Sequence, residues 1–247
     1  MTLFDLYRPQ IGIDKPIRLI EMFAGYGSQA MGLRNIGAEY ETHRVYEIDK
    51  YAMASYNAIH GTNFEPTDIC TVKGVDLGIV DKKRFAYLLT YSFPCTDISI
   101  AGRMAGMAED SETRSSLLWQ VVRILRECKE LGEMPDILLM ENVPAIHSSD
   151  NIGHYQKLVD ILTELGYSSY SQDLNAWDYG VAQSRERTFL VSVLGDYSYT
   201  FPSEMELTKC VEDYFEDLTE EQAEKLVVKS QKALDLLVRL DEKGQLC

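Results

Sequence analysis

Apolar positions along this chain change period again and again. The stretch "KPIRLIEMFAGYGSQAMGLRNIGAEY" holds a mostly apolar run from Ile17 to Met22, then Gly25 and Gly27, then a period near 3.6 as far as Gly37. That order predicts strand, glycine turn and helix. "HRVYEIDKYAMASYNAIHG" repeats it, with a second strand ending at Glu47 and a second helix closed by Gly61. A third unit runs through "FEPTDICTV" and puts Asp68 at a strand end, and Tyr87 to Ser92 supplies a fourth strand. Further on, "SSLLWQVVRILRECKELG" keeps helical spacing through Leu117, Leu118, Val121, Val122 and Leu125, and Pro135 separates it from the strand "DILLMENV". A helix from about His154 to Leu165 follows, then "YSSYSQDLNAWDYG", then a strand "RTFLVSVL" suited to an edge hairpin. Such alternation predicts an α/β chain: a doubly wound, mostly parallel twisted sheet with helices on both faces, formed by residues 1–195.

After Gly195 the texture changes, and residues 196–247 read as an acidic helical segment. "TEEQAEKLVVKSQKALDLLVRLDEKG" opens on a capping-box pattern, Thr219 with Gln222, and predicts one helix ending near Gly244. Ala223, Leu226, Ala233, Leu234, Leu237 and Leu240 share one helical stripe. The stripe suits packing on its own domain or docking a partner chain.

Composition narrows the class. At 45% hydrophobic and 26% charged residues, the chain resembles ordinary globular proteins able to bury a full core. No apolar run approaches the roughly 18 residues of a membrane helix, and the N-terminus lacks signal-peptide character, so a cytoplasmic protein is expected. Five widely spaced cysteines without a CxxC pair argue against a disulfide framework or a metal site and point to free thiols. The formal net charge is -15, and the thirteen acids and six bases after Gly195 account for -7 of it. A nucleic-acid binder normally carries a basic face, so much of any phosphate contact would have to come from elsewhere.

Candidate chemistry clusters at the predicted strand ends, where ligands bind in such sheets. The glycines of "FAGYGS" would let a ligand approach the backbone at a helix N-terminus, although the spacing alone also suits a plain tight turn. Glu47 is placed to accept ribose hydroxyls. Asp68 suits a helix cap or the amino group of an adenine. Cys95 stands just past an apolar strand, in "YSFPCTDIS", a place that suits either a displayed thiol or a cysteine that merely sits in a turn; a following helix N-terminus aimed at the sulfur would lower its pKa. Glu141, at the end of another largely apolar strand, suits an exposed loop-edge acid or, beside that thiol, a group that gives or shares a proton. Arg185 and Arg187, two apart, would share one face of a strand, to pair with surface acids or to hold a phosphate or a base carbonyl.

From about Ile17 to Val193 these residues resemble, in order, the motifs of the DNA cytosine C5 methyltransferases: "FAGYGS", "YEIDKYA", "TDI", "FPCTDIS", "ENV" and "NAWDYGVAQSRER". The resemblance implies a Rossmann-like S-adenosylmethionine-dependent methyltransferase fold, a bound S-adenosylmethionine, and DNA with a flipped cytosine as partner. It implies that Cys95 adds to C6 of the base, that Glu141 bonds N3 and the exocyclic amine, that Arg185 contacts O2, and that Arg187 orients neighbouring groups. Phe23, Ala24, Gly25, Tyr26 and Gly27 would surround the cofactor's methionine and adenine. Glu47 and Ile48 would serve its ribose and adenine, Asp68 and Ile69 the adenine edge, and Pro94 and Leu117 the pocket wall. Asn142 would brace the cysteine loop. No metal is implied.

The sequence departs from the family pattern at Thr96, where Gln is common, and at Ser28, where Gly is common. More substantially, the basic target recognition region and the closing segment expected after Val193 are not recognisable. The expectation is a catalytic part that needs a second polypeptide or a further segment to read its target. Methylation of cytosine in tRNA, or cofactor binding without catalysis, are the alternative readings.

Overall fold

The computed structural model describes residues 8–95 and 114–243. Thr96 and the start of the helix expected after Cys95 lie outside the described residues. The chain divides into two compact units, Met1–Glu206 and Leu207–Cys247.

The first unit is built on a six-stranded sheet. Strands β1 (Ile17–Met22), β2 (Tyr40–Tyr46), β3 (Ala86–Tyr91), β4 (Ile137–Asn142), β5 (Tyr167–Asn175) and β6 (Glu186–Leu194) lie in the order β2-β1-β3-β4-β6-β5. The first four are parallel, and β6 runs antiparallel to both β4 and β5. From β1 the chain winds outward to β2 and then crosses back to β3 on the other side. The strand order therefore reverses between β1 and β3, which opens a crevice at their carboxyl ends.

Helices α1 (Ser28–Asn35), α2 (Lys50–His60), α3 (Leu118–Leu131) and α4 (Ile152–Glu164) connect the strands. Successive strand residues face opposite ways, so the sheet sorts its own neighbours. Tyr87, Leu89 and Tyr91 of β3, with Leu138 and Met140 of β4, share a core with Leu118, Val121, Val122 and Leu125 of α3 and Leu158 and Leu162 of α4. On the opposite side Val45 of β2 packs with Met53 and Tyr56 of α2. Helix α2 is delimited by its own chemistry: Asp49 caps it by accepting from the amides of Tyr51 and Ala52, and Gly61, at φ 65°, ends it.

Two expectations from the pattern are corrected and one holds. The stretch around Asp68 is not a strand. Asp68 accepts from the Cys70 amide at 2.9 Å and caps a single 3-10 turn, Ile69–Thr71, because a short acidic side chain just before a turn satisfies its free amides better than a ladder would. The strand after "SRER" forms the expected edge hairpin with the polar stretch Tyr167–Asn175, which lies outermost while the later strand pairs inward with β4. Residues 196–206 belong to the first unit: Ser198 bonds Pro9 and Ile11, Tyr199 and Phe201 pack on Ile137, Val191 and Val193, and the Met205 amide reaches the Asp178 carbonyl.

In the second unit the single expected helix is two, α5 (Glu220–Leu226) and α6 (Gln231–Glu242). The β-branched pair Val227 and Val228 lies at the break. The expected capping box is formed, with Thr219 and Gln222 each accepting from the other's amide. Neither helix buries a residue.

Candidate active site

The turn after β1 needs its glycines. Gly25 and Gly27 have φ of 57° and 85°, and Phe23, at φ 58°, adopts the same left-handed region despite its side chain. A Cβ on Gly27 would lie 2.6 Å from the Tyr56 ring and 2.3 Å from His60 Nε2. Around Gly25 there is open space, so its backbone is accessible to a ligand. Strained backbone beside open space is a common mark of a binding site.

Glu47 joins this turn to the end of β2. Its Oε2 accepts from the Gly25 amide at 2.9 Å and its Oε1 from the Asp49 amide at 2.8 Å. Each carboxylate oxygen has two lone pairs, so acceptor capacity toward a diol remains. The Glu47 carbonyl accepts from the Thr67 amide at 2.7 Å, which brings the Asp68 turn to the same rim.

A cavity of about 230 Å³ opens here, lined by Phe23, Tyr46, Glu47, Ile48, Thr67, Asp68, Ile69, Ser92, Pro94 and Leu117. Seven of the cofactor residues expected from the sequence therefore face one space. Ala24, Gly25 and Gly27 shape the turn behind it instead. Tyr26, 57% exposed, lines a second and larger cavity of about 440 Å³ with Ser28, Gln29, Glu141, Arg185 and Arg187.

Cys95, half-buried, follows β3, while Glu141 belongs to β4 and Arg187 to β6, with Arg185 just before it. Cys95, Glu141, Arg185 and Arg187 line one cavity of about 150 Å³ together with Ser92, Pro94 and Asn142. Arg187 Nε is 3.0 Å from Glu141 Oε1, so the acid and the guanidinium orient one another. Buried Asn142 donates to the Phe93 carbonyl at 3.1 Å and ties β4 to the loop that carries Cys95. Asn175 Oδ1 accepts from the Arg185 amide at 2.8 Å and from Trp177, which fixes the approach to β6. Ser92 and Pro94 line this cavity and the 230 Å³ one alike, so the two spaces share a wall.

Three further residues support the site. Glu21, wholly buried in β1, accepts from the Ala30 amide of α1 at 3.3 Å and from the Tyr56 hydroxyl. Burial pushes its carboxyl up to about 6, against the lowering effect of those two donors. Gln29 donates to Ser92 at 3.2 Å, linking α1 to the end of β3. Arg123 bonds the Asp68 turn from α3. Only Glu21 gave a sequence signal: it is an acid facing inward within an apolar strand run.

Comparison with known proteins gives the family. Type II methyltransferase M2.ScrFI of Lactococcus lactis subsp. cremoris is 32% identical over 89% of this chain and 72% of its own length. Type II methyltransferase M.HhaI of Haemophilus parahaemolyticus is 35% identical over 86% of this chain and 60% of its own length. Among solved structures, the Entamoeba histolytica methyltransferase EhMeth shares the fold at a TM-score of 0.68 and 17% identity, covering 84% of this chain and 62% of that one. The family profile of C-5 cytosine-specific DNA methylase matches residues 17–242, and the chain belongs to that family, whose members use S-adenosylmethionine.

Proposed function

We propose that the chain methylates C5 of cytosine in DNA, with Cys95 as nucleophile. The observation that carries this reading is that Ser92 and Pro94 line both the space holding Cys95, Glu141, Arg185 and Arg187 and the one lined by Phe23, Glu47 and Asp68, so the two spaces adjoin. A base in one space and a methyl donor in the other would meet where those spaces adjoin.

The residues fit S-adenosylmethionine. The open backbone at Gly25 admits a ligand, Glu47 keeps lone pairs for a ribose, and Phe23, Ile48, Ile69, Pro94 and Leu117 offer apolar contact to a purine. When bound, that group supplies an electrophilic methyl on a sulfonium. Cys95 would add as thiolate to C6 of the flipped cytosine, leaving C5 electron-rich. Glu141 would bond N3 and the exocyclic amine and so stabilise the charge that builds on the ring. Arg185 would hold O2, and Arg187 would keep Glu141 in place through the 3.0 Å pair. After methylation, loss of the C5 proton and elimination of Cys95 would break the C–S bond and restore the aromatic ring.

Sequence recognition is assigned to a separate part, a second polypeptide or a further segment. A net charge of -15 is poorly suited to gripping phosphates and supports a division of labour with a more basic reader. The test is trapping on duplex DNA containing 5-fluorocytosine in the presence of S-adenosylmethionine. With a candidate reader chain supplied, a covalent adduct should form and should be absent in Cys95→Ser, whereas the chain alone should trap weakly or not at all. Adduct formation that survives Cys95→Ser would overturn the nucleophile assignment, and robust site-specific trapping by the chain alone would overturn the need for a separate reader.

A further inference from the structure

Helix α3 meets the 230 Å³ cavity in two ways. Leu117, at its N-terminal boundary, lines the cavity wall. Further along, Arg123 turns its guanidinium to the main chain of the Asp68 turn. Its Nη2 donates to the Val72 carbonyl at 2.7 Å and to the Ile69 carbonyl at 3.4 Å. Its Nε donates to Gln120 at 2.9 Å and its Nη1 to Glu127 at 2.7 Å, so neighbours one turn away on either side set the direction of the fork. Glu127 uses its other oxygen to accept from the Gly74 amide at 2.7 Å. Gly74 approaches α3 so closely that a Cβ there would lie 2.8 Å from the Cys128 amide nitrogen. Residues 69–74 are thus strapped to α3 at both ends.

Adhesion does not require this strap, because Ile69, Val72 and Leu77 are already buried in the core that holds Leu118, Val121 and Val122. Apolar packing is non-directional. Hydrogen bonds to the carbonyls add orientation, and in a one-turn segment the carbonyl orientations fix where the adjoining side chains point. We propose that Arg123 is a positioning residue for cofactor binding: acting through the Ile69 and Val72 carbonyls, it holds Asp68 and Ile69 at the purine end of the cavity, and Glu127 keeps its guanidinium in register. This rests on the reading that the cavity receives the adenosine half of S-adenosylmethionine.

The test uses the full 247-residue chain. Calorimetric titration with S-adenosylhomocysteine is compared with S-inosylhomocysteine, whose purine carries a carbonyl in place of the amino group, and thermal unfolding is followed alongside. Wild type should prefer the adenosine ligand. Arg123→Met should weaken that ligand about tenfold or more and the inosine ligand much less, so the preference shrinks. Arg123→Lys, able to reach one carbonyl, should restore part of the preference, and Glu127→Gln should fall between. A lowered Tm with an unchanged ratio of the two affinities would overturn the proposal. If Arg123→Met does not fold, an unchanged ratio in both milder variants does so equally. A wild type that binds both ligands equally refutes purine-edge positioning while leaving the cofactor reading intact; one that binds neither refutes the reading of the cavity, and the proposal with it.

Discussion

Glu21 gives the sharpest stability prediction. It sits in β1 just before the glycine turn and serves as a cap for α1 from the strand below, because Gly27 at the N-cap has no side chain to do so. Burial raises its carboxyl from the ordinary 4.5 to about 6. For an acid with a raised folded-state pKa, the folded chain keeps a proton that the unfolded chain has already lost between those two values. Stability from this group is therefore fully present below about pH 4.5 and is lost as pH rises through about 6. The difference corresponds to about 2 kcal/mol. Glu21→Gln removes the titration while keeping a similar shape and an acceptor for the Ala30 amide. The experiment is urea unfolding of both proteins from pH 4 to 8, followed by the fluorescence of buried Trp119. Other carboxylates cancel in the comparison, since they titrate alike in both proteins. The stability of the variant minus that of wild type should rise by about 2 kcal/mol across the window and then level off. A flat difference, or one that falls with pH, would refute the assignment of a buried, reluctantly ionised carboxylate.

Two further outcomes follow from the site. Gly27→Ala places a Cβ against Tyr56 and His60 at φ 85°, so it should cost about 1–3 kcal/mol and weaken S-adenosylhomocysteine binding; thermal unfolding and calorimetry check both. Asn142→Ala removes the buried bond to the Phe93 carbonyl and should cost about 1–3 kcal/mol, measured by urea unfolding, while slowing adduct formation through Cys95 more than it weakens cofactor binding.

The local periods in the sequence sufficed for β1, β2, α2, α3 and β4, because each is a run whose apolar spacing and capping residues agree. Gly61 and Gly132, which close α2 and α3 in the left-handed region, are readable for the same reason. The identities of Cys95, Glu141, Arg185 and Arg187 were also legible, since each is a reactive side chain displayed at or beside an apolar run. Their convergence was not. Cys95 and Arg187 lie more than ninety positions apart, and only the order β3-β4-β6, with β6 reversed, brings them to one cavity. Asp68 read as a strand end because a few residues near a proline carry too little periodicity to separate a strand from a capped turn. The polar sequence of β5 hides its strand, since its pairing comes from β6 rather than from a buried face of its own. Glu21, Gln29 and Arg123 stayed out of reach because their partners are amides, hydroxyls and carbonyls of distant segments. Side-chain type and spacing determine which local element forms; which backbone groups those side chains then satisfy is decided only when the sheet closes and buries them.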